Sequence, residues 1–281
     1  MGSGISAEKR GVKEAMLTYP KIYSKIVTKQ SQRFFTYRTN ILAGVLTALF
    51  MLGARYALWT ALFATGNAGG ATLAETMTFF IITDTVIVWL ASNYGDILGQ
   101  DIRSGEIAHR LIRPFPYHLQ LLAMFHAGSV SATLTRTLPM LVVALIFIGL
   151  LPPVSVTAFG FFVLAAVLGA LIYSLIDLII SYTAFWLSHY WYLAWFKRAL
   201  FTLFGGLALP LWFYPEWLRE ICELLPFQYA IFMPISIYLG RVSADQIAFV
   251  LFMQIFWIAV LLLIERALWR LAQRKLVVQG G

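Results

Sequence analysis

Four charges fall inside stretches that are otherwise apolar: Arg55, Asp84, Arg136 and Asp177. An ionised side chain left alone in hydrocarbon costs about 2.5–3.5 kcal/mol on insertion scales, so such residues pair, line a polar path or relay protons. At 1.5 Å per helical residue, Arg55 and Asp84 both lie roughly 15 Å below one end of their helices and can meet. Arg136 and Asp177 lie roughly 24 and 30 Å below a shared turn, near enough for a second pair. A different group is the stretch from Gln100 to Pro114, the most charge-dense internal part of the chain. There Arg103, Glu106, Arg110 and Arg113 alternate around Ile102, Ile107, Leu111 and Ile112. That mixture suits a short helix docking on a soluble protein, apolar knobs at the centre and Arg around them, and equally an ordinary solvated loop. Catalytic chemistry is harder to assemble. His109, His118, His126 and His189 have no metal-ligand spacing, and Cys222 has no adjacent histidine to activate it. Neither a G-x-x-x-x-G-K-[ST] loop nor a G-x-G-x-x-G after a strand occurs, so no nucleotide is held by those routes.

The elements that must position these charges follow from composition. Hydrophobic residues make up 60% of the 281 and charged residues 12%, against about 45–50% and about 25% in a soluble domain. Six apolar spans are expected, an all-α polytopic membrane protein. The first runs from about Asn40 to Ala64. The second opens at Thr72-Leu73-Ala74-Glu75, a capping box, and reaches about Tyr94. The third, about Ser129 to Leu151, stops at Pro152-Pro153, and the fourth runs from about Thr157 to Trp186. The fifth, Ala199 to Leu211, must recruit Trp191 to Phe196 or stop part-way, because Gly205-Gly206 and Pro210 break it. The sixth opens at Ser243-Ala244-Asp245-Gln246 and ends near Ile264. This map puts every basic residue except Arg55, Arg136, Arg219 and Arg241 on one side, so both termini are expected in the cytoplasm. The +8 charge is absorbed by topology, and no nucleic acid is required.

Two further segments are neither span nor simple loop. Within residues 1–38, a polar N-terminal region without the apolar core of a cleavable leader, Pro20 to Tyr37 carries Ile22, Tyr23, Ile26, Val27, Phe34 and Tyr37 at helical spacing. Lys21, Lys25, Lys29 and Arg33 line another face, which fits an elbow helix in the interface plane that braces a partner or anchors to headgroups. Leu211 to Gly240 is apolar but punctuated by Pro215, Pro226 and Pro234, and carries Trp217 and Phe227. It reads as two short helices that dip back into the outer leaflet and border a cavity or exit, or as a plain interfacial cap. Residues 39–265 then form the membrane domain and 266–281 a basic tail.

Taken together, these features resemble the ABC-2 family of exporter permeases, in the short form with no fused ATPase. The resemblance rests on the run Gly105-Glu106-Ile107-Ala108-His109-Arg110-Leu111-Ile112-Arg113-Pro114, on Pro210-Leu211-Trp212-Phe213-Tyr214-Pro215-Glu216-Trp217-Leu218 leading to Leu225-Pro226-Phe227-Gln228-Tyr229, and on the end Gly280-Gly281. It implies two permeases, identical or different, over two separate ATPase subunits in a bacterial inner membrane, with ATP and magnesium on those partners. Residues 100–113 become the coupling helix, with Arg103, Glu106, Arg110 and Arg113 pairing with the ATPase and Ile107 and Leu111 entering its groove. Residues 215–240 become re-entrant helices near the exit. Gly205-Gly206 stands where relatives are expected to have Ser-Gly, and the Glu-Ala-Ala…Gly loop of importers is missing. A stand-alone secondary transporter or channel is the alternative, favoured by the intramembrane charges. An intramembrane lipid enzyme lacks a catalytic constellation.

Overall fold

Thr72 and Glu75 begin the second long helix by satisfying each other: the Glu75 amide donates to Thr72 Oγ1 at 3.1 Å and the Thr72 amide to Glu75 Oε2 at 2.7 Å. The fold is seen in a computed structural model, which describes residues 21–25, 28–29, 38–66, 70–90, 94–112, 117–186 and 191–275. It is helical, with no strand among the described residues.

The long elements are α1 (Arg38–Ala64), α2 (Leu73–Leu90), α5 (Tyr117–Ala132) running into α6 (Leu138–Phe147), α7 (Val156–Ser181) and α12 (Ala244–Lys275). Between α2 and α5 lie two short helices, α3 (Tyr94–Ser104) and α4 (Glu106–Leu111). After α7 come α8 (Trp191–Phe204), α9 (Glu216–Glu223), α10 (Phe227–Ala230) and α11 (Phe232–Tyr238). Among the described residues, five stretches are long and apolar enough to cross a membrane: Leu42–Ala64, Leu73–Leu90, Ala127–Phe147, Val156–Ser181 and Ala244–Ala272. The expected fifth span is not among them, although the helix there does take in Trp191 to Phe196 and does break at Gly205. α8 has 14 residues, about 21 Å of helix, and ends at Gly205, after which the chain is irregular to Pro210. The expected end of the sixth span also moves, since α12 continues unbroken to Lys275 and takes the first part of the basic tail into the helix.

Hydroxyls inside the spans turn back onto their own helix, as a dry surrounding demands: Thr47, Thr60, Thr83, Thr85 and Thr133 each donate to the carbonyl four residues earlier. Between α5 and α6, Thr133–Thr137 form a π-helical turn. Pro139 follows at once and cannot donate to the Thr135 carbonyl, so the wider turn absorbs the missing bond. Ser155 caps α7 by accepting from the Ala158 amide at 3.0 Å.

The main core lies between α1, α2, α6, α7, α8, the α9–α11 segment and α12, with Phe79, Phe80, Phe201, Ile172 and Ile235 buried. A second, smaller cluster sits at the opposite end from the α9–α11 segment, built on Tyr94, Leu98, Ile107, Tyr117, Leu121 and Tyr182. The end carrying the turns after α1 and α6 is called upper below, and the end carrying α3 and α4 lower.

Candidate functional site

The lower platform begins where α3 breaks. Gly105 has φ +73°, a left-handed conformation that costs an ordinary side chain about 1–2 kcal/mol. The single helix expected over 100–113 is therefore two helices meeting at an angle. Packing behind them decides which side chains face outward. Tyr117 Oη donates to Asp101 Oδ2 at 2.7 Å, and Arg110 Nε lies 3.3 Å from the same carboxylate oxygen. Gln120 donates to the Arg110 carbonyl at 3.2 Å. Burial, and then the Asp101 carboxylate that takes its hydrogen bond, push the Tyr117 phenol above its ordinary range. Tyr182 is raised for the same reasons, with Glu265 accepting its hydroxyl at 2.5 Å.

These contacts redistribute the expected roles. Ile107 is 5% exposed and belongs to the lower core, while Arg110 is drawn inward to Asp101 and, at 4.0 Å, to Glu106. Neither faces outward as expected, because α4 turns that face onto α3 and α5. Arg103, Ser104, Ala108 and His109 are exposed, and Ile112 is 81% exposed. Arg113 lies outside the described residues, as do the Leu111 side chain and Arg33 of the expected elbow helix. Lys21, Lys25 and Lys29 fall in described helical residues and are exposed.

At the upper end the segment expected as two re-entrant helices forms three short ones, α9, α10 and α11. Tyr238 sits by the start of α7: its carbonyl accepts from the Val154 amide at 3.2 Å and its hydroxyl donates to the Leu151 carbonyl at 3.0 Å. Ala230, however, lies against Gly169, about 20 Å of helix further down α7. A Cβ built on Gly169 would sit 2.4 Å from the Ala230 carbonyl oxygen, so only glycine permits this approach. Gln254 of α12 is wholly buried and donates from Nε2 to the Ala165 carbonyl at 2.8 Å and to the Tyr229 carbonyl at 2.7 Å. One side chain thus ties a carbonyl of α7 and a carbonyl of α10 to α12. Pro226 and Pro234 are buried and Phe227 is half-buried, whereas Pro215 and Trp217 are exposed. Arg241 closes this end, with its guanidinium 4.4 Å from the Trp212 ring centroid and Nη2 at 3.1 Å from the Gly70 carbonyl and 3.3 Å from Glu75.

Inside the spans, Arg55 and Asp84 meet as counted, with Nη1 donating to Oδ2 at 2.6 Å and the guanidinium 4.6 Å from the centre of the Phe80 ring. The second expected pair does not form. Asp177 is bound instead by Lys197 of α8, and its Oδ2 also accepts from the Tyr94 amide at 3.1 Å. Arg136 lies in the π-helical turn and packs against Gly44 of α1. Counting along the axes gave comparable depths but not faces, and α8 is the helix on the Asp177 side of α7. Above the pair, the Tyr173 and Phe201 rings are 4.2 Å apart and the Phe201 and Phe227 rings 5.1 Å apart. A continuous column therefore runs from α3 through Asp177 and α8 to α10. Sequence reasoning treated Lys197 as a topology signal and passed over Tyr94, Asp101, Tyr117 and Gln254. Of these, a glutamine in the middle of a long apolar span was the signal open to notice.

Comparison with known proteins returns one family: the ABC-2 family transporter protein profile matches residues 49–280. No curated protein and no solved structure matches the chain.

Proposed function

The chain belongs to the ABC-2 transporter family, and from that membership we propose that it is the permease of an ATP-driven exporter, forming the path with a second permease above separate ATPase subunits. The family and the apolar helices support its coarse role, a multi-pass membrane subunit of an ABC transporter. The finer reading places the lower platform in the cytoplasm of a bacterial cell and the α9–α11 segment on the outer side. α8 together with residues 205–213 then makes the sixth crossing, since Lys197 meets Asp177 near the lower end and Trp212 meets Phe79 near the upper one. Both termini fall on the cytoplasmic side with most of the basic residues. ATP and magnesium belong on the partner, since this chain carries neither nucleotide loop.

The observation that carries this reading is the platform: two short helices fixed by Asp101, Tyr117 and Arg110 that leave Arg103, His109 and Ile112 outward. A rigid surface with one apolar knob and basic neighbours is what a groove on a soluble partner can grip. The test follows the exposed face and leaves Arg110 alone, whose loss would undo the platform itself. Arg103→Glu combined with His109→Glu should leave thermal unfolding unchanged and abolish permease-dependent ATP turnover in native membranes. Undiminished turnover in that variant contradicts the reading.

A further inference from the structure

We propose that the buried Asp177–Lys197 pair is the joint that carries motion of the lower platform to the upper re-entrant helices. This deepens the proposed function and rests on its ATPase partner. Asp177 is wholly buried and the Lys197 side chain nearly so, and a buried pair of this kind gives little net stability against apolar replacements. Its position suggests what it does instead. One oxygen of Asp177 accepts from the Tyr94 amide of α3. The other meets Lys197 of α8, whose ammonium also lies 5.4 Å from the Tyr173 ring centroid.

The single carboxylate is therefore bonded at once to the platform and to the helix that leads upward. Four residues on from Lys197, Phe201 stacks on Tyr173 and meets Phe227 at the start of α10, and Phe204 lies 5.9 Å from the same ring. α10 cannot slide independently of α7, because the Ala230 carbonyl is seated on Gly169 and Tyr229 is held by Gln254. A shift of α3 must then either break the Tyr94–Asp177 bond or pull on α7 at Asp177, and the Lys197 contact passes that pull to α8, which bears directly on α10. Packed interfaces of this kind move between discrete arrangements rather than deforming smoothly. Asp177 and Lys197 are positioning residues in this account, acting through α8.

The experiment uses the full chain in complex with its co-purified ATPase, reconstituted in lipid nanodiscs, with Cys222→Ser as background. Spin labels are placed on one platform pair, Gln100→Cys with Arg266→Cys, which leaves the outward Arg103, His109 and Ile112 in place, and on one upper pair, Leu62→Cys with Leu224→Cys. Addition of ATP and vanadate should change both distances by about 2 Å or more, the size of helix shifts at interfaces. In Asp177→Asn/Lys197→Met, which removes both charges together, the platform distance should still change and the upper distance should not. Lys197→Arg, which keeps the pair, should restore the upper change. Should the double variant fail to fold, Phe201→Leu cuts the same column above the charges and should give the same split. Upper labels that still respond in these variants overturn the joint. Labels that respond in no protein, the parent included, refute the ATPase coupling itself and not the joint alone.

Discussion

The two ends of the bundle are held by different physics. At the upper end backbone lies against backbone: Ala230 sits on Gly169, and Gln254 ties α7 and α10 to α12. At the lower end, polar side chains hold helices on a small apolar cluster, through Tyr117 with Asp101, Arg110 with Asp101, Tyr182 with Glu265, and Tyr94 with Asp177. Close packing resists any added volume. A hydrogen bond is worth only about 1 kcal/mol net and can exchange partners. The upper segment is thus suited to move as one body with α7 and α12, and the lower end to exchange hydrogen-bond partners when a partner pulls.

That contrast breaks in a defined order. Gly169→Val should do the most damage, since the new side chain meets the Ala230 backbone; a loss of about 5 kcal/mol or more is expected, beyond ordinary overpacking. It should appear as lost monodisperse protein on gel filtration and a lowered tryptophan-fluorescence melt. Asp177→Ala alone should cost about 3–5 kcal/mol by leaving Lys197 buried without its partner, while Asp177→Asn with Lys197→Met should melt within about 1 kcal/mol of the parent. The partly exposed pair Arg55–Asp84 should give a smaller effect, with Asp84→Ala lowering the melt and added Arg55→Ala partly restoring it, a coupling of about 1 kcal/mol in a double-mutant cycle. Equal, additive losses at both pairs would erase the distinction drawn between them. Tyr117→Phe, the smallest change, should cost about 1 kcal/mol, because Asp101 keeps Arg110.

Most of the architecture was legible from the chain because apolar length and caps are local properties. Thr72 with Glu75 marked the start of α2, and Gly205-Gly206 marked the end of α8. The Arg55–Asp84 pair followed from depth alone, since both residues stand the same distance from one turn. Depth failed for Asp177, because helical rise fixes height and says nothing of azimuth. Lys197 counted only as one of the basic residues on the lower side, because a positive charge next to a span end reads as a topology signal and not as a partner for a buried carboxylate. The platform was half legible. Its charge density was plain, yet Ile107 and Arg110 were assigned outward, because the left-handed turn at Gly105 that folds α4 back is a matter of backbone shape. The seat of Ala230 on Gly169 had no signal in the chain at all, being a contact between segments far apart in sequence.

The central claim is that the lower platform, and not the upper end, grips a separate ATPase. Ile112 is 81% exposed on the platform and Leu224 75% exposed at the opposite end, so a photo-crosslinking amino acid at each, in the full chain in native membranes, compares the two directly. Illumination followed by mass spectrometry of the adducts should give an ATPase subunit from position 112 and none from position 224. An ATPase adduct from position 224, or none from position 112, would contradict it.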